Sequence, residues 1–142
     1  MNCACGLKYQ AYAPLLLRLA VGTIFIVHGY QKLTGLEGFT GFLASLGVPL
    51  ASTFAIIVMI VELGGGIALI LGLWTHWVSK LQAVDMIFAI FLVHAGNGFL
   101  NSNMGYEFPL LLLAASLSFV IAGAGPLSLD AKMHRNNDTM EA

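Results

Sequence analysis

Five ionisable side chains lie inside long apolar stretches of the sequence: Arg18, His28, Glu62, Asp85 and His94. An acid and a base that meet away from water can exchange a proton or bind a polar ligand, so these residue types are candidates for proton transfer. Their surroundings decide which chemistry is open to them. Burying one such group in hydrocarbon costs about 2.5–3.5 kcal/mol, so it usually faces the interior of a helix bundle and is paired there.

The composition indicates that these surroundings are a lipid bilayer. Of the 142 residues, 58% are hydrophobic and 9% are charged, whereas average globular chains have roughly 45–50% apolar and roughly 25% charged residues. Too few charges remain to cover a surface in water, so we expect an integral protein of the plasma or inner membrane. The formal net charge of −1 gives nucleic acid no electrostatic attraction, and no such partner is expected.

Four apolar segments approach the length that a helix needs to cross a bilayer, which is about 20 residues. The sequence therefore predicts an all-α polytopic membrane protein, a bundle of four transmembrane helices in a single domain over residues 1–130. Residues 131–142 are polar and are predicted to be disordered. The predicted spans are residues 13–33, 50–73, 78–94 and 107–124.

A shorter helix is predicted between the first two spans. Apolar residues recur at helical spacing over residues 36–46, and Gly47 and Pro49 then provide a stop. This segment is too short to cross a bilayer, so we expect an amphipathic helix that lies in the membrane interface.

The basic residues predict the orientation of the chain. Lys8, Lys80, Lys132 and Arg135 fall on the side that holds both termini and the second loop, and Lys32 falls on the other side. Because loops rich in lysine and arginine stay inside, both termini are predicted to be cytoplasmic.

A rise of about 1.5 Å per residue gives each ionisable group an approximate depth below the cytoplasmic boundary. The groups fall into three layers, each with an acid and a base, and such pairing lowers the free energy of burial. The predicted layers are Arg18 with Asp85 at about 6–10 Å, Glu62 with His28 and His94 at about 18–24 Å, and Lys32 with Glu107 at the outer rim.

Glu62 is the strongest candidate for chemistry, because it is too short and too deep to reach water and must be paired or protonated. We expect His28 to be its partner, as a proton-handling pair. Other interpretations stay open for the remaining groups. Arg18 is near enough to the surface to extend into water, and His94 could be an interfacial residue at a helix end. Asp85 and His94 are nine residues apart, so they lie on opposite faces of one helix.

Glu62 shares a helix face with small residues. Gly65, Gly66, Leu69 and Gly72 follow it at helical spacing. Small side chains allow a neighbouring helix to approach closely in a membrane, so this face is predicted to be both a packing surface and the position of the buried acid.

Cys3 and Cys5 are the two cysteines of the chain. Two thiols do not complete a zinc site, which usually takes four ligands. We favour a reduced N-terminal segment over a redox or metal-handling one, and no metal or intrinsic cofactor is predicted.

A series of motifs follows in a fixed order along nearly the whole chain, and in that order it resembles the DoxX/DoxD family of small four-span membrane proteins. Asp85 and the two cysteines do not belong to the shared pattern. The motifs are Arg18-x3-Gly22-x5-His28-Gly29-x2-Lys32-Leu33, Gly47-x-Pro49, Glu62-x2-Gly65-Gly66-x2-Leu69-x2-Gly72, His94-x3-Gly98-Phe99, Tyr106-Glu107 and the ending GPLSLD at Asp130.

The resemblance implies a function linked to redox metabolism. Members of the family resemble partners in respiratory or sulfur metabolism, including the membrane subunit of a thiosulfate:quinone oxidoreductase, and others resemble membrane anchors in assemblies that handle oxidative or thiol stress. It thus implies a quinone as ligand and a soluble oxidoreductase or sulfur-handling protein as partner. The positions that it marks as candidate site residues are Arg18, His28, Lys32, Glu62, His94 and Glu107.

Three functions stay open on this evidence. In the first, a redox subunit binds a quinone at Glu62 and His28, with Arg18, Lys32, His94 and Glu107 as substrate-binding residues; the sequence has no electron-carrier motif, so a partner chain would supply the electrons. In the second, the chain transports protons or a small polar solute, and at this length it would form a homo-oligomer. In the third, it is a structural membrane anchor.

Overall fold

The structure is a computed structural model that describes residues 9–140, with side chains described up to residue 135. Cys3, Cys5 and Lys8 lie outside the described residues. Across residues 9–140 the chain is helical with no strand, which confirms the predicted all-α class. The helices are α1 (Tyr12–Thr34), α2 (Leu36–Ser45), α3 (Ala51–Leu71), α4 (Thr75–Ala89), α5 (Glu107–Ala122) and α6 (Leu129–Met140).

Three helical segments are long and apolar enough to cross a membrane. They are α1, α3 and the segment Thr75–Asn97, in which α4 continues through one π-helical turn and one 3-10 turn. The fourth apolar helix, α5, has 16 residues and therefore spans about 24 Å at 1.5 Å per residue, less than a hydrocarbon core of about 30 Å. It ends before the predicted residue 124 because Gly123 takes a positive φ of 74°.

The exposed surface of these helices is apolar, as a lipid-facing surface must be. Leu16, Phe91 and Ile121 are 66%, 74% and 87% exposed, which would be unfavourable in water but suits acyl chains. A smaller apolar core lies between the helices and holds Val21, Phe25, Leu69, Met86, Leu112 and Phe119. Buried polar and apolar side chains thus share the interior of the bundle, and large apolar side chains cover much of its outer surface.

Helices α1 and α3 pack most closely, through glycines. A Cβ placed on Gly66 would lie 2.7 Å from the carbonyl oxygen of Gly22, and one placed on Gly22 would lie 2.8 Å from that of Gly66. Two backbones approach this closely only where both residues lack side chains, which agrees with the predicted small-residue face.

The polar C-terminal segment differs from the prediction, because residues 129–140 form α6 instead of a disordered tail. Two side chains explain where the helix begins. The Ser128 hydroxyl accepts a hydrogen bond from the Ala131 N–H at 3.1 Å, as an N-cap residue does. The Asp130 carboxylate accepts hydrogen bonds from the N–H groups of Trp74 and Thr75 at 2.7 and 2.9 Å. This second contact attaches the start of α6 to the start of α4.

Candidate functional site

Glu62 of α3 forms an ion pair with Lys32 of α1. The Lys32 Nζ lies 2.5 Å from the Glu62 Oε2, and the two side chains are 19% and 6% exposed. A charged hydrogen bond of this kind is about twice as strong as a neutral one. The structure therefore confirms that Glu62 is paired inside the bundle, but the predicted pairing with His28 is wrong.

The heights of the residues explain how Lys32 reaches Glu62. A Cβ placed on Gly29 would lie 2.7 Å from the Cα of Leu63, so Gly29 is level with the residue that follows Glu62. Lys32 is three residues further along α1, about 4.5 Å along the helix axis. A four-carbon side chain spans that distance, so Lys32 belongs to the layer of Glu62 and not to an outer layer.

The face of α1 explains why His28 does not make the contact. His28 is at the right height, but it is exposed, and its ring packs beside Phe108 of α5 with 6.2 Å between the ring centroids. Five residues are buried on α1: Arg18, Val21, Gly22, Phe25 and Gly29. Four of them, all except Val21, recur at alternating spacings of four and three, and Lys32 continues that series.

Asp85 of α4 lies within electrostatic range of the pair but forms no ion pair with it in the described part of the chain. Its side chain is buried and interacts electrostatically with Glu62 and with Lys32. Its Oδ2 has no hydrogen-bond partner among the described residues. We call Lys32, Glu62 and Asp85 the charged cluster; it carries one positive charge and two carboxyl groups inside the bundle.

Arg18 does not form the predicted layer with Asp85. Its guanidinium donates a hydrogen bond to the carbonyl oxygen of Leu127 at 2.5 Å and interacts electrostatically with Asp130. The side chain is 1% exposed, so it does not extend into water either. It points to the end of the bundle where α4 and α6 begin, and it fits there because Gly72 has no side chain to occupy the same space.

His94 and Glu107 bind loop backbone instead of the predicted partners. The His94 Nδ1 lies 2.6 Å from the carbonyl oxygen of Met104. The Glu107 Oε1 accepts a hydrogen bond from the Asn101 N–H at 2.7 Å. The predicted layers of Glu62 with His94 and of Lys32 with Glu107 are therefore wrong, because both side chains hold the segment between α4 and α5.

Helix α2 contacts the charged cluster through one aromatic ring. The Lys32 Nζ lies 5.1 Å from the centroid of the Phe39 ring of α2, within the range of a cation–π contact. The predicted helix over residues 36–46 is thus present as α2, and its contact with Lys32 is an additional finding of the structure.

A row of buried polar side chains runs along α4 to the charged cluster. Thr75, Ser79, Gln82 and Asp85 follow one another at spacings of four, three and three, so they share one face of the helix. A Cβ placed on Gly65 would lie 3.2 Å from the Gln82 Nε2, so this face of α4 packs on the glycines of α3. We call these four residues, with Arg18 at the end of the bundle, the polar column.

The charged cluster can bind a polar group that both accepts and donates hydrogen bonds. The Lys32 ammonium provides donors, and the carboxyl groups of Glu62 and Asp85 provide acceptors or, when protonated, acids. Such a set of groups suits a carbonyl or hydroxyl oxygen that gains or loses a proton.

Comparison with known proteins shows relatives of the same size. A family model described as DoxX matches residues 13–95. The "Putative oxidoreductase CatD" of Bacillus subtilis (strain 168) is 39% identical over 116 residues, which cover 82% of this chain and 83% of that protein. The "Inner membrane protein YphA" of Escherichia coli (strain K12) is 29% identical over 140 residues, which cover 93% of this chain and all of that protein.

A protein of Haemophilus influenzae described as "Uncharacterized protein" is 34% identical over 132 residues, which cover 90% of this chain and 96% of that protein. No solved structure matches the chain.

Proposed function

This chain belongs to the DoxX family of membrane proteins, and from that premise we propose that it is the membrane subunit of a redox system whose charged cluster exchanges protons with a quinone. The observation that carries the proposal is the Lys32–Glu62 ion pair with Asp85 beside it, inside a bundle that is otherwise apolar. The name of the Bacillus subtilis relative, a putative oxidoreductase, supports the redox assignment.

The proposed step is the reduction of a quinone to a quinol, which takes up two electrons and two protons. A partner oxidoreductase supplies the electrons. The Lys32 ammonium donates a hydrogen bond to a quinone carbonyl oxygen, and the cluster delivers the protons that the reduced oxygens need. The protons lost from the cluster are then replaced from water. Reoxidation of the quinol reverses each transfer.

His28 is proposed to stand at the entrance for the quinone. Its ring is exposed between α1 and α5 beside Phe108, and it interacts electrostatically with Lys32. A quinone that arrives from the lipid would meet an aromatic ring and an imidazole before the charged cluster. His94 and Glu107 bind loop backbone, and Arg18 lies at the other end of the bundle, so none of the three is assigned to the quinone.

The test is quinone binding by the chain in lipid nanodiscs, measured by isothermal titration with a short-chain quinone. Glu62→Gln removes the carboxylate that positions the Lys32 ammonium, the group proposed to bind the quinone oxygen. Loss of a hydrogen bond to a charged group is worth about 1.5–3 kcal/mol, so this variant is expected to weaken binding roughly 10- to 100-fold. Glu37→Gln is the matched control, because Glu37 is an exposed carboxylate on α2. If Glu62→Gln only lowers thermal stability and leaves quinone affinity unchanged, the anchor function is the better description.

We also propose an orientation of the chain in the membrane, with both termini in the cytoplasm. The start of α4 and the start of α6 are joined through Asp130, which supports a common side for Lys80 and Lys132. The positive-inside rule then assigns this side to the cytoplasm. A fluorescent protein fused after residue 142 is expected to fluoresce and an alkaline phosphatase fused there to be inactive; the opposite pattern would reverse the orientation.

A further inference from the structure

We propose that the polar column conducts protons through bound water, from the end of the bundle at Arg18 and Asp130 to the charged cluster. The inference uses the cluster of the proposed function as the inner end of the path, but it requires no quinone.

The polar column contains many hydrogen-bonding atoms without partners in the described part of the chain. They are the Arg18 Nε and Nη1, the Thr75 Oγ1, the Ser79 Oγ, both amide atoms of Gln82 and the Asp85 Oδ2. The side chains are nine-tenths or more buried, with Ser79 and Gln82 at 0% exposure.

Partners for these atoms are required by the energetics. A buried polar group without a partner destabilises the folded state, and several of them in one bundle would together offset much of the stability of a typical protein. Buried water usually makes about three hydrogen bonds to such groups and is therefore the partner that fits.

The column reaches from one end of the bundle to the middle of the membrane. Thr75 and Asp85 are ten residues apart, which is about 15 Å along α4 and about half of a hydrocarbon core. At the outer end, the backbone N–H of Thr75 binds the Asp130 carboxylate, which interacts with Arg18. At the inner end, Asp85 interacts with Glu62 and Lys32.

The side chains suit water and protons more than other solutes. Hydroxyl groups and the Gln82 amide both donate and accept hydrogen bonds, so they can stabilise a water chain in either direction. Between Thr75 and Asp85 the column is neutral, so it offers no counter-charge to an inorganic ion. Beyond the cluster, the Phe39 ring of α2 contacts Lys32. The proposed path delivers protons to the cluster.

The first measurement is hydroxyl-radical labelling of the chain in nanodiscs by a short X-ray pulse, followed by mass spectrometry. Radicals form from water and oxidise side chains beside it. Met86 follows Gln82 by one helical turn and packs in the apolar core at 5% exposure, so it is oxidised only if water reaches it through the neighbouring polar column. We expect Met86 to be oxidised in the wild type and protected in Gln82→Leu, which keeps the volume and removes both polar atoms. Wild-type protein in which Met86 is not oxidised would overturn the proposal.

The second measurement follows protons. The carboxyl bands of Asp85 and Glu62, assigned by their loss in Asp85→Asn and Glu62→Gln, are recorded by infrared spectroscopy after a pH step. Their response is expected to be at least about tenfold slower in Gln82→Leu, equivalent to about 1.4 kcal/mol in the barrier. Equal rates in the wild type and Gln82→Leu would refute the path.

The control is Ser118→Ala, since the Ser118 hydroxyl is on α5 and already donates to the Ala115 carbonyl oxygen at 2.7 Å. It should change neither measurement. If Gln82→Leu does not fold, Ser79→Ala replaces it with the same expectations. Absence of quinone binding with normal labelling of Met86 would reject the proposed function alone, and normal quinone binding with no labelling would reject the path alone.

Discussion

Removing one member of the Lys32–Glu62 pair should destabilise the protein by an amount that depends on which member is removed. In Lys32→Met the Glu62 carboxylate, 6% exposed, loses its counter-charge and cannot reach water. In Glu62→Gln the Lys32 ammonium, 19% exposed, is left instead. Lys32 is in the last turn of α1, and its long side chain can turn towards the interface. The loss should therefore be larger for Lys32→Met.

The size of the larger loss has an upper bound. A stranded glutamate can take up a proton, which for a glutamate of ordinary acidity costs about 3.7 kcal/mol at pH 7, at about 1.36 kcal/mol per pH unit. Lys32→Met is thus expected to lose about 3–4 kcal/mol, within the roughly 3–5 kcal/mol range for breaking a buried pair. For Glu62→Gln we expect about 1–2 kcal/mol, below the roughly 2.5–3.5 kcal/mol for a charge at the bilayer centre.

The double variant Lys32→Met with Glu62→Gln leaves no charge without a partner at either position. Replacing a whole buried pair by groups of similar shape is often neutral, so it should lie within about 1 kcal/mol of the wild type. The coupling free energy of the cycle is then about 3 kcal/mol or more, at the upper end of the range for residues in contact. The free energy of unfolding is measured by SDS titration in mixed micelles.

The pH dependence provides a second check on the same variant. In Lys32→Met the folded state at pH 7 holds a proton that the unfolded state does not hold, so stability falls as the pH rises. The loss relative to the wild type should shrink to about 1 kcal/mol at pH 5. Additive single losses, or a Lys32→Met loss that does not change between pH 5 and pH 7, would refute the assignment of a buried charge pair.

Three further changes test the packing, the caps and the loop. Gly66→Ala should lower the free energy of unfolding by about 1–3 kcal/mol, because its Cβ would meet the Gly22 carbonyl. Gly64→Ala has open space around it and should raise the free energy of unfolding by about 0.5–1 kcal/mol through helix propensity. Thermal unfolding compares the two variants, and equal shifts would contradict the close α1–α3 contact. Asp130→Ala removes the acceptor of two hydrogen bonds at the start of α4 and should lower the free energy of unfolding by about 1–2 kcal/mol. Asp130→Asn keeps one acceptor and should lower it by about half as much in the same assay. Glu107→Ala removes the hydrogen bond to the Asn101 N–H, so local opening of the loop should become about 1.4 kcal/mol easier and hydrogen exchange of that N–H about tenfold faster. Unchanged exchange would mean that the contact does not hold the loop.

The helices could be predicted from the sequence because hydrocarbon imposes a strong requirement: every backbone group must be paired within the segment. The ends of the predicted helices 13–33 and 50–73 differ from those of α1 and α3 by at most two residues, and 78–94 lies within the helical segment Thr75–Asn97. Their ends were harder to place, because they depend on single glycines with positive φ, such as Gly72 at 67° and Gly123 at 74°. The missed helix α6 begins at caps on Ser128 and Asp130, which are local signals in a polar segment that composition alone assigns to disorder.

The ion-pair partner could not be found from depth alone. Depth placed Glu62 level with His28, and the contact of Gly29 with Leu63 shows that this height was right. Depth does not tell which face of α1 a residue occupies, and His28 lies on a different face from Lys32. The alternating four and three spacing from Arg18 to Lys32 was present in the sequence and predicts that Lys32 faces α3. Depth and face together would have identified the pair.

The polar column was missed for a different reason: its middle carries no charge. Ionisable groups mark only its ends, Arg18 and Asp85, whereas Ser79 and Gln82 between them are neutral; in hydrocarbon an unpaired hydroxyl or amide is also costly. A membrane anchor could keep its register with the ion pair alone. Ser79 and Gln82 are both at 0% exposure on the face of α4 that leads to Asp85, and anchoring gives no reason for them. The proposed supply of protons to the charged cluster does give one.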